Sequence, residues 1–150
     1  MPGMQRTVRR FVLVLFAAVV ALVAVTWWAL ESGDVAVVET AMESAATTGG
    51  ADLRRTHVWF VVAGDDVLIE AGTPDNGWYV DARRTGRLRI VEPAQIARDC
   101  RTEVLANPDG HERIRSLLRQ KYGLRDLWIA TIFDTSRSLA VRCGHAAAPF

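Results

Sequence analysis

Cys100 and Cys143 are the two cysteines of this 150-residue chain. Their spacing matches no zinc pattern, because zinc ligands come in close pairs. His57, His111 and His145 lie far apart and add no metal signature, so no metal is expected. Two readings of the cysteines stay open. In an oxidising space they can form one disulfide, and otherwise they are small buried apolar side chains. Other catalytic signatures are missing from the sequence: there is no Ser/His/Asp set, no carboxylate pair at a recognisable spacing and no phosphate-binding glycine loop. Asp65 and Asp66 read as a hairpin turn, and Tyr79 is a phenol whose packing role ranks above proton donation. Residues 51–150 carry fifteen basic and thirteen acidic side chains, a net charge of +2. That balance excludes the electrostatic footprint of a nucleic-acid binder.

Whatever chemistry the chain performs is positioned beside a membrane. Phe11 to Leu30, FVLVLFAAVVALVAVTWWAL, contains no charge, and its only polar side chain is Thr26. A helix of this length covers about 30 Å, the thickness of a bilayer's hydrocarbon core. Trp27 and Trp28 stand where indole rings favour the headgroup level. They also stand where a cleavable signal peptide needs small residues, so an uncleaved signal anchor is expected. Arg6, Arg9 and Arg10 precede the run, whereas Glu31, Asp34, Glu39 and Glu43 follow it. The positive-inside bias places the N-terminus in the cytoplasm and the rest of the chain outside. The layout is therefore a basic tail (1–10), a membrane anchor (11–30), an acidic linker (31–50), one folded domain (51–145) and a short tail (146–150). Within the linker, VAVVETAMESAA reads as a short helix continuing from the membrane, broken by Thr47-Thr48-Gly49-Gly50.

The folded domain opens as β-structure. Thr56–Ala63 and Val67–Ala71 form a hairpin about Gly64-Asp65-Asp66. The first of these strands is apolar on both faces, so both are expected to be covered. Trp78–Asp81 reads as a third strand, Arg83–Gly86 as a turn and Arg87–Glu92 as a fourth strand ended by Pro93. Cys100–Leu105 is a candidate fifth strand. A helix follows, with Asp109 as N-cap, Glu112 completing a capping box, Ile114, Leu117, Leu118 and Tyr122 as the buried stripe, and Gly123 past the end. Leu124–Phe133 reads as helical and Ser138–Cys143 as the closing strand. The order of elements predicts an α+β, barrel-like domain.

THVWFVVAGDDVLIEAG, GWYVDARRTGRLRI and RQKYGLRDLWIATIFDTSRSLAVRC resemble the small split β-barrel proteins related to pyridoxamine-phosphate oxidase, nearest the nitroreductase and quinone-reductase branch. The resemblance covers roughly residues 53–143, and its most specific pieces are KYG at 121–123 and DTSRSLAVR at 134–142. It implies a six-stranded split barrel with a C-terminal helix, a homodimer, and a bound FMN or deazaflavin coenzyme near the subunit interface. It also implies that Arg83, Arg84 and Arg87 contact the cofactor's phosphate, where guanidinium forks offer paired donors. Thr73 adds a hydroxyl, and Trp59 and Trp78 flank the planar ring. Each has a plainer reading: a solvated arginine turn, and tryptophans in the core. Arg137 and Arg142 read as stabilisers of the last strand. Glu70 and Asp81 depart from the family's pattern, since an acid near a phosphate repels it. Either the phosphate sits elsewhere, or cofactor binding is weakened or lost. The expected activity is that of a membrane-anchored flavin- or deazaflavin-dependent oxidoreductase acting on lipophilic quinone-like or nitro compounds. The competing reading is a non-catalytic, membrane-tethered binding or dimerisation module.

Overall fold

The computed structural model describes residues 2–42, 52–94 and 96–145. The tail at 146–150 and the break at Thr47–Gly50 lie outside the described residues. The chain divides into two compact units, 1–32 and 33–150. The first is a single helix, α1 (Pro2–Glu31), long and apolar enough over Thr7–Glu31 to cross a membrane. The hydroxyl of Thr26 donates to the carbonyl of Leu22 one turn back, so the one polar side chain of the apolar run is satisfied within the helix.

The second unit is a six-stranded antiparallel barrel, as the α+β reading predicts. Its strands are β1 (Val35–Ala41), β2 (Leu53–Ala63), β3 (Asp66–Ala71), β4 (Arg87–Val91), β5 (Ala97–Val104) and β6 (Leu139–His145). They close in the order β1-β2-β3-β6-β5-β4, with β4 returning to β1. Helix α2 (Gly77–Thr85) joins β3 to β4, and α3 (Asp109–Tyr122) with α4 (Leu124–Ile132) joins β5 to β6. Period-two alternation fills the interior. Ala36, Val38, Val58, Phe60, Val67, Ile69, Leu88, Ile90, Cys100, Val141 and Cys143 form one buried cluster. Cys100 and Cys143 are joined as a disulfide between the neighbouring strands β5 and β6, with Cα atoms 5.1 Å apart. That distance is within the normal range for a bridge.

Two elements differ from the sequence reading. Residues 35–41, assigned to the linker and to a helical continuation of the anchor, form β1. The barrel therefore begins at Gly33 and not at residue 51. Ala36, Val38 and Thr40 point inward while Val35, Val37 and Glu39 point outward, a strand's alternation. Trp78–Asp81, expected as a strand, lies within α2. This helix plugs the end of the barrel where β1 finishes and β4 starts, and it drives Trp78, Tyr79 and Ala82 into the core. Gly86 ends it at φ 69°, where a left-handed residue accepts no side-chain penalty if it is glycine.

The capping box also fails to form. Helix α3 starts at Asp109, and no side chain caps it through that residue. The carbonyl oxygen of the Asn107 side chain accepts from the His111 amide at 3.1 Å instead. The buried stripe matches in part: Ile114, Leu118 and Tyr122 are buried, Leu117 is only half-buried, and Gly123 follows at φ 56°.

Candidate functional site

Helix α3 packs on the outer face of β2, β3 and β6, and α4 packs against α3. Trp59 on β2 stacks on Tyr122, with ring centroids 4.4 Å apart and planes 13° apart. The Tyr122 hydroxyl donates to the carbonyl of Asp34 at 2.6 Å and accepts from the Phe60 amide at 3.3 Å. Burial pushes the Tyr122 phenol up to about 12. Beside it, Lys121 donates to the Phe60 carbonyl at 3.0 Å and lies 3.5 Å from the centre of the Phe60 ring. Burial lowers its ammonium pKa, and Asp34 opposes part of that shift. The Lys-Tyr-Gly segment is thus a clamp between α3 and the strands β1 and β2.

The two acids that depart from the family pattern are both neutralised within the fold. Arg115 on α3 donates to Glu70 at 2.9 and 3.1 Å and also to the fully buried Asp126 of α4. Asp126 accepts again from Arg119 at 3.2 Å. Asp81 accepts from Arg54 at 2.8 Å and from the Thr40 hydroxyl at 3.3 Å. Neither carboxylate stands free to repel an anion. Arg142 on β6 pairs with Glu103 at 2.9 Å and with Asp66 at 3.6 Å, and Arg137 pairs with Asp75 at 3.3 Å, in keeping with stabilising roles.

The six candidate cofactor residues are not gathered in one place. Trp59 and Trp78 are both buried, one beneath α3 and one inside the barrel end, so neither offers a free ring face. They also belong to opposite ends of the barrel. Trp59 pairs in register with Val35, whereas α2 is tied to Thr40 and Arg54 five residues along the same strands, about 17 Å away. Thr73 lies in the loop before α2, and its amide and hydroxyl both donate to Asn76, at 2.8 and 3.0 Å. Arg83 and Arg84 occupy the last turn of α2, where cations complement the helix dipole. Arg84 donates to the Ala41 carbonyl at 2.8 Å. Arg87 begins β4 and points outward.

The open side of the barrel is the outer face of β1, β4 and β5. It carries Glu39 between Arg55 at 2.6 Å and Arg89 at 4.0 Å, then Arg87, Asp99 and Arg101. A shallow cleft of about 220 Å³ lies on this face, floored by Val35, Val37 and Val91 and rimmed by Glu39, Arg55, Glu92 and Pro93. Val91 and Arg87 share the outer face of β4, four residues or about 13 Å apart. Among the described residues neither Arg83 nor Arg87 has a carboxylate within ion-pair distance. Those arginines fit a phosphate group, and the valine floor fits a flat apolar ring. The two tryptophans do not fit the ring-stacking role. The valine floor escaped the sequence reading because β1 had been placed in the linker. The β-branched Val35, Val37, Val38 and Thr40 of VAVVETA carried the signal.

No family model matches the sequence, and no curated protein matches it. Solved structures do match the fold. One is a FAD-binding protein from Mesorhizobium loti, at TM-score 0.55 and 12% identity, covering 79% of this chain and 86% of that one. Another is a protein assigned as a pyridoxamine 5'-phosphate oxidase of Listeria innocua, at TM-score 0.52 and 10% identity, covering 77% and 86%. A third is a protein from Bacteroides thetaiotaomicron assigned to 5-nitroimidazole antibiotic resistance, at TM-score 0.53 and 7% identity, covering 75% and 72%.

Proposed function

The chain has the split-barrel fold of the flavin-binding proteins related to pyridoxamine-phosphate oxidase, and we propose that its barrel binds a phosphate-bearing flavin or deazaflavin on the open face of β1 and β4. One observation carries this reading. An apolar cleft and uncompensated arginine charge lie about 13 Å apart along one strand, a span suited to a flat ring joined to a terminal phosphate. In this proposal Val35, Val37 and Val91 support the ring and keep water from one of its faces. Arg87, with Arg83 and Arg84 at the end of α2, holds the phosphate. When bound, such a cofactor supplies hydride transfer.

The fold's likeness to a FAD-binding protein supports the cofactor class, and the likeness to a nitroimidazole-resistance protein supports nitro compounds as acceptors, with quinones as the chemically similar alternative. Anchoring through α1 suits an acceptor that partitions into lipid. The disulfide and the arginines before the apolar run both favour a barrel on the oxidising side of the membrane. A second copy packing on the open face would enclose the ring from its other side, in line with the expected homodimer.

Fluorescence titration of the full chain in neutral detergent tests this, with FMN and with a deazaflavin coenzyme. Saturable binding at micromolar concentration or tighter, weakened by Arg83→Ala with Arg84→Ala, supports the proposal. Absence of binding by folded protein sinks it. The second reading, a non-catalytic anchored module, would then stand. It is favoured by the burial of Trp59 and Trp78, which leaves both without a free ring face.

A further inference from the structure

Arg87 and Arg101 face each other directly across β4 and β5. Both side chains are exposed on the outer face, since the alternate residues Leu88 and Cys100 are buried. Directly opposed residues on such a ladder have Cβ atoms about 5 Å apart, and like charges there destabilise the sheet. The nearby acids do not relieve the pair. Asp99 lies opposite Arg89, and Glu103 is bonded to Arg142 at 2.9 Å. Among the described residues neither Arg87 nor Arg101 has an ion-pair partner. The next position in the same row, across β6, is Gly144. A Cβ built there would meet nothing within 4 Å, so the row ends in open space. On the other side, the Thr102 amide donates to the Gly86 carbonyl at 3.0 Å, which fixes β5 beside the end of α2 that bears Arg83.

We infer that the Arg87–Arg101 pair is a seat for a phosphate monoester or diphosphate, with Arg101, on a strand the family resemblance did not point to, as its second fork. A dianion between two guanidinium groups converts a repulsive pair into two charge-assisted bridges. The inference deepens the proposed function by assigning the phosphate end of the ligand, and it rests on that reading only for the identity of the rest of the ligand.

Thermal unfolding of the full chain in neutral detergent, with inorganic pyrophosphate as probe, tests the seat. Pyrophosphate is expected to raise the wild-type Tm. Arg101→Gln is expected to raise the Tm without anion, because it removes the repulsion, and to abolish the pyrophosphate shift. Arg113→Gln, at an exposed arginine on α3, should keep that shift. No pyrophosphate shift in the wild type, or a shift retained in Arg101→Gln, overturns the inference. Competition by phosphatidylglycerol vesicles would mark a lipid headgroup as the source of the phosphate. A preference for FMN over riboflavin of about tenfold or more, falling to near unity in Arg101→Gln, would mark the cofactor. Riboflavin binding without a pyrophosphate effect removes the seat alone. A pyrophosphate effect without binding of FMN or deazaflavin removes the cofactor reading alone.

Discussion

Trp59 lies flat on Tyr122, and the Tyr122 hydroxyl reaches past it to the carbonyl of Asp34, where the barrel begins. One phenol thus joins α3 to two strands. Because burial raises its pKa from 10.0 to about 12, the folded state holds the proton more tightly than the unfolded chain. Its contribution is fully present below pH 10 and is lost as the pH rises toward 12. Tm measured between pH 9 and pH 12 should fall more steeply in the wild type than in Tyr122→Phe, whose phenylalanine does not titrate. Equal slopes would remove the clamp.

Arg115 holds Glu70 and the fully buried Asp126 together. Arg115→Met leaves the Asp126 carboxylate with the more exposed Arg119 alone. A loss of about 3–5 kcal/mol is expected in urea unfolding, the usual cost of breaking a buried ion pair from one side. Glu70→Gln keeps a hydrogen-bond acceptor and should cost clearly less. If the two variants lose the same stability, Asp126 does not depend on Arg115.

The disulfide closes a loop between positions 43 residues apart. Replacing both cysteines by serine should lower stability by about 2–4 kcal/mol, the range for a loop of this size. Non-reducing gel mobility and peptide mass mapping of the native chain check the bridge itself. Free thiols in protein isolated without reductant would contradict it.

Chain boundaries supply a further test. A fragment starting at Gly33 retains all six strands, whereas one starting at residue 51 lacks β1 and exposes the edges of β2 and β4. Unpaired edges of that kind invite aggregation. The shorter fragment should be insoluble or molten by near-UV circular dichroism, and the longer one should unfold cooperatively. A cooperative transition in the shorter fragment would show β1 to be dispensable.

The long apolar helix α1, the β2–β3 hairpin, β4, β5, α3, α4 and β6 were legible in the sequence because their apolar spacing or turn residues identify them. β1 was missed because an acidic stretch beside an apolar helix reads as connector, and because the inside–outside alternation of Val35 to Thr40 shows in burial but not in the residue types, which open with four apolar residues. Helix α2 was missed for a different reason. Trp78, Tyr79 and Val80 carry strand propensity, and only the burial of Trp78, Tyr79, Asp81 and Ala82 at helical spacing distinguishes a plug from a strand. The proposed arginine seat was half legible. Arg83, Arg84 and Arg87 lie within five residues of sequence, but Arg101 joins them only through the β4–β5 register. Glu70 and Asp81 looked hostile to a phosphate because their partners, Arg115 and Arg54, are distant in the chain.

The last strand to be synthesised, β6, is inserted between β3 and β5. Until residues 139–145 arrive, β3 is paired only with β2 and β5 only with β4, each with one open edge, and Cys100 lacks Cys143 as a partner. In the folded chain the bridge spans the seam between β5 and β6, the last seam to be completed. The bridge therefore locks the chain's final strand into the barrel wall once both are in place. A chain stalled before that point would present two open strand edges and an unpaired sulfur, a combination prone to wrong partners.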